Sequence, residues 1–246
     1  MGTGELSGSV AIVTGSSSGI GEAVARRLGD LGATVVVNSS NSVEAGEAVA
    51  ASIPGAIYLR ADISDREQAR SLVDQTVERF GRLDLLVNNA GWTTVVPHDD
   101  LDALTDEIFE KTFSVNVFGT WWLTKHAMPH LREAPDGHVV NITSIAGVRP
   151  VGSSVAYSMS KAALNQMTQL LAKSCGPVRV NAVAPGLVAT PWTSDWEAQH
   201  AFIGQVAPLK RSATAEDCAE AVIALVRTRY ATGEIFVLDG GTTLAL

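Results

Sequence analysis

Short β-branched, apolar runs alternate along this chain with longer segments whose apolar positions recur every three or four residues. The strand-like runs are residues 10–14, 34–38, 56–59, 83–88, 138–142, 178–183 and 235–238. The first helical pattern opens near Gly19 and repeats through Ile20, Val24, Leu28 and Leu31. Further helices are predicted over 43–52, 66–80, 108–131, 155–174 and 215–229. Strands that are apolar on both faces suit a parallel sheet buried between two helical layers. Repeated strand–helix alternation with right-handed crossovers predicts an α/β fold: a doubly wound, three-layer α/β/α arrangement around a seven-stranded parallel sheet. No linker, repeat or low-complexity tract interrupts the pattern, so residues 1–246 read as one domain.

The turn after the first strand is Gly15-Ser-Ser-Ser-Gly19-Ile-Gly21. Glycines there allow a tight turn and a close approach of backbone N–H groups, and the following helix start favours an anion. A glycine turn between a first strand and an amphipathic helix is the setting that makes dinucleotide binding, rather than a structural turn, the expected reading.

Tyr157 and Lys161 stand four residues apart on one face of a predicted helix. A phenol titrates near 10, and a neighbouring ammonium is expected to lower that value toward working pH. The competing reading is an ordinary Tyr/Lys pair on an amphipathic helix. Ser144 ends the fifth strand, at the sheet edge where open α/β sheets bind ligands, although a Ser there also serves as a cap or turn former.

These motifs, with Asn88-Asn89-Ala90-Gly91, Val115-Asn116-Val117, Pro185-Gly186 and Asp239-Gly240-Gly241, run in one order over residues 14–241. The chain thereby resembles the short-chain dehydrogenase/reductase family, of roughly 250 residues and Rossmann-like fold. The resemblance implies an NAD(P)-dependent oxidoreductase that interconverts a secondary alcohol and a ketone. A 3-oxoacyl reductase is one specialisation. Tyr157 is then the general acid/base, Ser144 steadies the substrate oxygen, and Lys161 lowers the phenol pKa and holds the nicotinamide ribose. Asn116 is implied to position a relay water, the alternative being a mid-helix Asn bonded to backbone. A cofactor-sensing protein of the same fold without catalysis is the competing function, and such proteins usually lack the tyrosine or lysine.

The resemblance further implies cofactor contacts from Gly15, Ser17, Ser18, Gly19, Ile20 and Gly21, and from Asn38, Ser39 and Ser40 after the second strand. Asp62 and Ile63 are expected at the adenine, with an N-cap as the alternative for Asp62. Asn89, Ala90 and Gly91 follow on the adenosine ribose side, and Pro185, Gly186, Val188 and Thr190 at the nicotinamide. The second strand lacks the carboxylate that would exclude a 2′-phosphate, so the balance leans to NADP over NAD. Two further NADP signals are missing, since Ser18 is not basic and no Arg or Lys directly follows Asn38.

Substrate walls are expected from 92–96, 145–151 and 187–203, with 187–207 as a short lid carrying Trp192 and Trp196. Such a lining favours a hydrophobic or cyclic carbonyl compound, the alternative being that the tryptophans serve only to pack the lid shut. Trp121 and Trp122 read as core or subunit contact. His98, Asp99, Asp100 and Asp102 read as a polar, capping turn, with no catalytic metal expected. The resemblance implies a homotetramer, with a dimer next, paired through helices 108–131 and 155–174, and an apolar contact is expected from 243–246.

A net charge of −8 without a run of basic residues argues against a nucleic-acid partner. Cys175 and Cys218 are too few for a disulfide framework. No segment has the length and apolarity of a membrane span, and the opening residues do not read as a signal peptide. A soluble cytoplasmic protein is therefore expected.

Overall fold

In a computed structural model, which describes residues 4–245, the alternation becomes one parallel sheet covered on both faces. Its strands are β1 (Val10–Val13), β2 (Thr34–Ser39), β3 (Ile57–Arg60), β4 (Leu85–Asn88), β5 (His138–Ile142), β6 (Arg179–Pro185) and β9 (Ile235–Leu238), in the order β3-β2-β1-β4-β5-β6-β9. A separate two-stranded pair, β7 (Val188–Ala189) and β8 (Ala213–Thr214), lies outside that sheet.

The period-two pattern of each strand serves two cores. Ala11 and Val13 of β1 join Val35 and Val37 of β2 on the face covered by α1 (Gly19–Asp30), α2 (Val43–Ala51) and α8 (Ala215–Arg227). Ile12 and Val36 face the opposite way, toward α3 (Arg66–Phe80) and α5 (Thr120–Glu133), with α6 (Val155–Ser174) on the same side. Strand order reverses between β1 and β4, and a crevice opens there at the carboxyl ends of the strands.

The helix expected over 108–131 is not continuous. It divides into α4 (Asp106–Phe113), a π-helical stretch Ser114–Gly119, and α5. Ser-Val-Asn-Val-Phe-Gly combines β-branched residues with Gly and Asn, all poor helix formers, so a widened turn costs little there. The stretch carries Asn116.

The expected lid has its own structure: β7, a single 3₁₀ turn Pro191–Thr193, and α7 (Glu197–Val206), which buries none of its residues. A final helix, α9, spans Thr242–Ala245. Of the expected apolar C-terminal contact, Leu246 lies outside the described residues, as do residues 1–3 of the opening segment. No helix among the described residues is long and apolar enough to cross a membrane.

Candidate active site

A cleft of about 930 Å³ follows the carboxyl edge of the sheet, from the β2–α2 loop across the glycine turn to the lid. Its floor is fixed at the switch point by Thr14. The Thr14 hydroxyl accepts the backbone N–H groups of Asn89 and Ala90, both at 3.0 Å. The Asn89 amide donates in return to the carbonyls of Thr14 at 2.8 Å and Gly15 at 3.0 Å. The two arms of the switch point are thus laced together.

The turn packs tightly enough to bring its backbone to a pyrophosphate because glycine stands at its closest approaches. Gly15 has φ +61°, and a Cβ there would lie 2.9 Å from the Ala90 Cα. A Cβ on Gly21 would lie 2.4 Å from the Gly15 carbonyl oxygen. Gly21 therefore works beneath the turn and does not line the cleft, whereas Gly15, Ser17, Ser18, Gly19 and Ile20 do. This cradle fits the phosphates of a dinucleotide.

Asn38, Ser39 and Ser40 border the cleft, as do Asp62, Ile63, Asn89, Ala90, Gly91, Pro185, Gly186, Val188 and Thr190. Two of these side chains have partners within the chain. The Asn38 amide is turned onto the carbonyls of Leu59 at 3.0 Å and Ala61 at 3.1 Å, so its N–H groups are not offered to a ligand. Asp62 is not a helix cap: its Oδ1 accepts from the backbone N–H and hydroxyl of Ser64, while Asp65 caps α3. Asn88 points away, into a buried relay that runs to Thr124 and through Asn141 to Thr168.

At the other end of the cleft, Ser144, Tyr157 and Lys161 come together from the end of β5 and the first turns of α6. Ser154 caps α6 by accepting the Tyr157 N–H at 3.2 Å. The Ser144 Oγ accepts the Ala146 N–H at 3.1 Å, which leaves its own O–H to donate. Lys161 is buried and donates to the Ile142 carbonyl at 2.9 Å, with its Nζ 5.6 Å from the centre of the Tyr157 ring.

Ionisation in this site runs against the sequence expectation. Burial pushes the Tyr157 phenol up to about 12, and a hydrogen bond from Ser144 offsets only part of that. Burial draws the Lys161 ammonium down to about 8. Desolvation is thus the dominant influence on both groups. The Tyr157 ring is only half-buried and one side borders the cleft, so solvent relieves some of that penalty. The phenol is in any case neutral at pH 7 and able to donate its proton.

Asn116 is fully buried and does not line the cleft. Its Oδ1 accepts the Trp92 N–H at 2.7 Å, and its Nδ2 donates to the Trp92 carbonyl and to Ser160 Oγ, each at 3.0 Å. The backbone-bonding alternative thus holds for its side chain, although the backbone belongs to the loop after Gly91. A Cβ built on Gly91 would lie 3.4 Å from Asn116 Oδ1 and 3.7 Å from Lys161 Nζ, so the three residues converge on one point.

The substrate end is lined by Trp92, Val95, Val151, Trp192, Trp196 and Phe202. Lys111 lines it too, with its ammonium 4.4 Å from the centre of the Trp92 ring. Sequence reasoning missed Lys111, which belongs to no motif and reaches the cleft through the placement of α4 beside Trp92. His98 hydrogen-bonds the Gly152 carbonyl, and the described residues contain no group of three or more His, Cys, Asp or Glu placed to hold a metal.

Comparison with known proteins agrees with this geometry. The family described as enoyl-(acyl carrier protein) reductase matches residues 15–243. A Streptomyces violaceoruber protein assigned as ketoacyl reductase 2 of the granaticin polyketide synthase is 54% identical over 239 residues, 96% of each chain. The 3-oxoacyl-(acyl-carrier-protein) reductase of Thermotoga maritima is 31% identical over 249 residues, 97% of this chain and 99% of that one. A short-chain dehydrogenase of Burkholderia cenocepacia, solved with NADP, superposes with a TM-score of 0.90 at 34% identity, covering 97% of this chain and 99% of that one. By fold, motif order and likeness over nearly its whole length, the chain belongs to the short-chain dehydrogenase/reductase family and is an NAD(P)-dependent oxidoreductase.

Proposed function

We propose that the protein is an NADP-dependent ketoreductase acting on a bulky, largely apolar ketone, with a 3-oxoacyl or polyketide-type compound as the substrate class. The observation that carries this reading is the convergence of Ser144, Tyr157 and Lys161 at the end of a dinucleotide-sized cleft. The aromatic wall of Trp92, Trp192, Trp196 and Phe202 suits a ring system better than a small polar alcohol. The name of the granaticin relative points the same way.

Bound nicotinamide cofactor supplies the hydride and takes up its two electrons in the reverse direction. Tyr157, neutral at pH 7, donates the phenolic proton to the carbonyl oxygen as the C–O double bond is reduced. Ser144 donates its free O–H to the same oxygen and steadies the developing charge. Lys161, held by the Ile142 carbonyl, stabilises the phenolate left behind. Asn116 fixes the loop that faces Lys161.

Phe118, Trp121, Met159 and Leu170 are exposed on the π-helical stretch, α5 and α6. This apolar surface supports pairing of those helices in a homotetramer or dimer, which light scattering reads directly. A cytoplasmic location accords with two free cysteines.

The test is cofactor oxidation followed by nicotinamide absorbance with NADPH or NADH, against 3-oxoacyl thioesters and fused-ring ketones. Turnover with NADPH is expected. Cofactor binding without turnover of any carbonyl or alcohol would instead establish the non-catalytic, sensing alternative.

A further inference from the structure

The second strand ends Asn38-Ser39-Ser40-Asn41-Ser42, with no cation among these residues. Structurally, the first two side chains are already engaged. The Asn38 amide is held by the β3 backbone, and the Ser39 hydroxyl lies 2.8 Å from the Tyr58 hydroxyl and donates to the Ser42 carbonyl at 3.0 Å. What the loop lacks, the next strand provides. β3 runs parallel to β2 with Arg60 opposite Ser39. The Arg60 Nε donates to the Ser40 carbonyl at 2.9 Å, which holds the guanidinium against this loop; Ser40 lines the cleft, and Arg60 stands just outside that lining.

Among the described residues, no carboxylate lies within ion-pair distance of Arg60, so its terminal nitrogens are uncommitted. The side chains of Ser40, Asn41 and Ser42 make no hydrogen bonds there either, and all three line the cleft. The acids nearest in sequence are Glu44, exposed on α2, and Asp62, whose Oδ1 is taken by Ser64. A dinucleotide with its pyrophosphate on the glycine turn has one arm of the cleft leading to Tyr157. Its adenosine must then extend along the other arm, past Ser40.

We propose that Arg60 is the cation that recognises the 2′-phosphate of NADP, with the hydroxyls and amide of Ser40, Asn41 and Ser42 completing the contact. A planar guanidinium with free terminal N–H groups suits bidentate contact with phosphate oxygens. The 2′-hydroxyl of NAD offers it no charge. This role rests on the NADP reading of the cofactor site and names the residue that would enforce it.

The experiment is calorimetric titration of wild type, Arg60→Gln and Arg60→Lys with NADP⁺, NAD⁺ and adenosine 2′,5′-bisphosphate. Wild type is expected to bind NADP⁺ more tightly than NAD⁺. Arg60→Gln should weaken NADP⁺ and the bisphosphate by about ten- to a hundredfold and leave NAD⁺ unchanged. The lysine variant should fall between. Unchanged NAD⁺ affinity also verifies that the exposed substitution leaves the fold intact. If wild type prefers NADP⁺ and Arg60→Gln keeps that preference, the role of Arg60 is refuted while the cofactor reading stands. If wild type binds NAD⁺ at least as tightly, the cofactor reading fails and the role of Arg60 falls with it.

Discussion

The Lys161 ammonium is tied to the Ile142 main-chain carbonyl at 2.9 Å, with its Nζ 5.6 Å from the centre of the Tyr157 ring. A buried cation with one carbonyl partner is under-solvated, and its pKa falls from 10.5 to about 8. Below pH 8 the folded and unfolded chains both carry the charge, so stability does not change with pH on this account. From pH 8 toward 10.5 the unfolded chain holds a proton that the folded chain has released, and stability rises. Urea unfolding of wild type and Lys161→Met across that window should show the gain only in wild type. Equal slopes would mean that the ammonium is well hydrated.

Tyr157→Phe keeps the ring and the Ser154 cap on its backbone N–H but removes the proton. Turnover should fall about 10²- to 10⁴-fold, with cofactor affinity nearly unchanged. For the reduction, wild-type rate should decline as alkaline pH deprotonates the phenol, whose pKa burial raises toward 12. The variant's residual rate should show no such decline. A variant with near wild-type turnover would remove Tyr157 from the chemistry.

Asn116→Ala deletes three hydrogen bonds and leaves the Trp92 N–H and carbonyl unpaired and the buried Ser160 Oγ without its donor. Destabilisation of about 1–3 kcal/mol is expected. Because the freed loop faces Lys161, turnover should drop alongside Tm. Thermal melts and kcat measured together test this. A variant with normal Tm and lost activity would favour a relay role over bracing.

The glycine turn makes a sharper case. At Gly21 a Cβ would stand 2.4 Å from the Gly15 carbonyl and 2.5 Å from the Asn89 amide nitrogen. Backbone cannot yield there without moving the turn itself. Gly21→Ala should therefore weaken cofactor binding at least tenfold, as read by calorimetry, although Gly21 lies outside the cleft lining. Unchanged affinity would mean the turn is softer than its contacts suggest.

Much of this was legible before coordinates. Short β-branched runs, apolar on both faces, located all seven main-sheet strands, and their ends placed Gly15, Asn89, Ser144 and Pro185 along one edge. What escaped depends on neighbours that a linear reading cannot rank. Arg60 meets Ser40 only because β3 pairs with β2 in a particular register. Lys111 enters the cleft through a contact between α4 and the Trp92 ring, which no motif announces. The desolvation that pushes the Tyr157 phenol up is likewise absent from the motif, which shows only the lysine.

The lid rests on few contacts. α7 buries no residue, and its chief tie is His200, whose ring lies 2.7 Å from Ser212 Oγ and 3.2 Å from the Thr193 carbonyl and hydroxyl oxygens. Elements with little buried surface open at low free-energy cost, so 197–206 should exchange amide hydrogens far faster than α6. His200→Ala removes the tie without touching the glycine turn. Exchange over 197–206 should quicken further, and KM for the carbonyl should rise as the Trp192–Trp196 wall loses its anchor. Cofactor affinity should hold, apart from any loss at Thr190, which lines the cofactor cleft close to Gly19. If the variant leaves both exchange and KM unchanged, the lid is held by its backbone turn alone, and the aromatic wall owes nothing to the histidine.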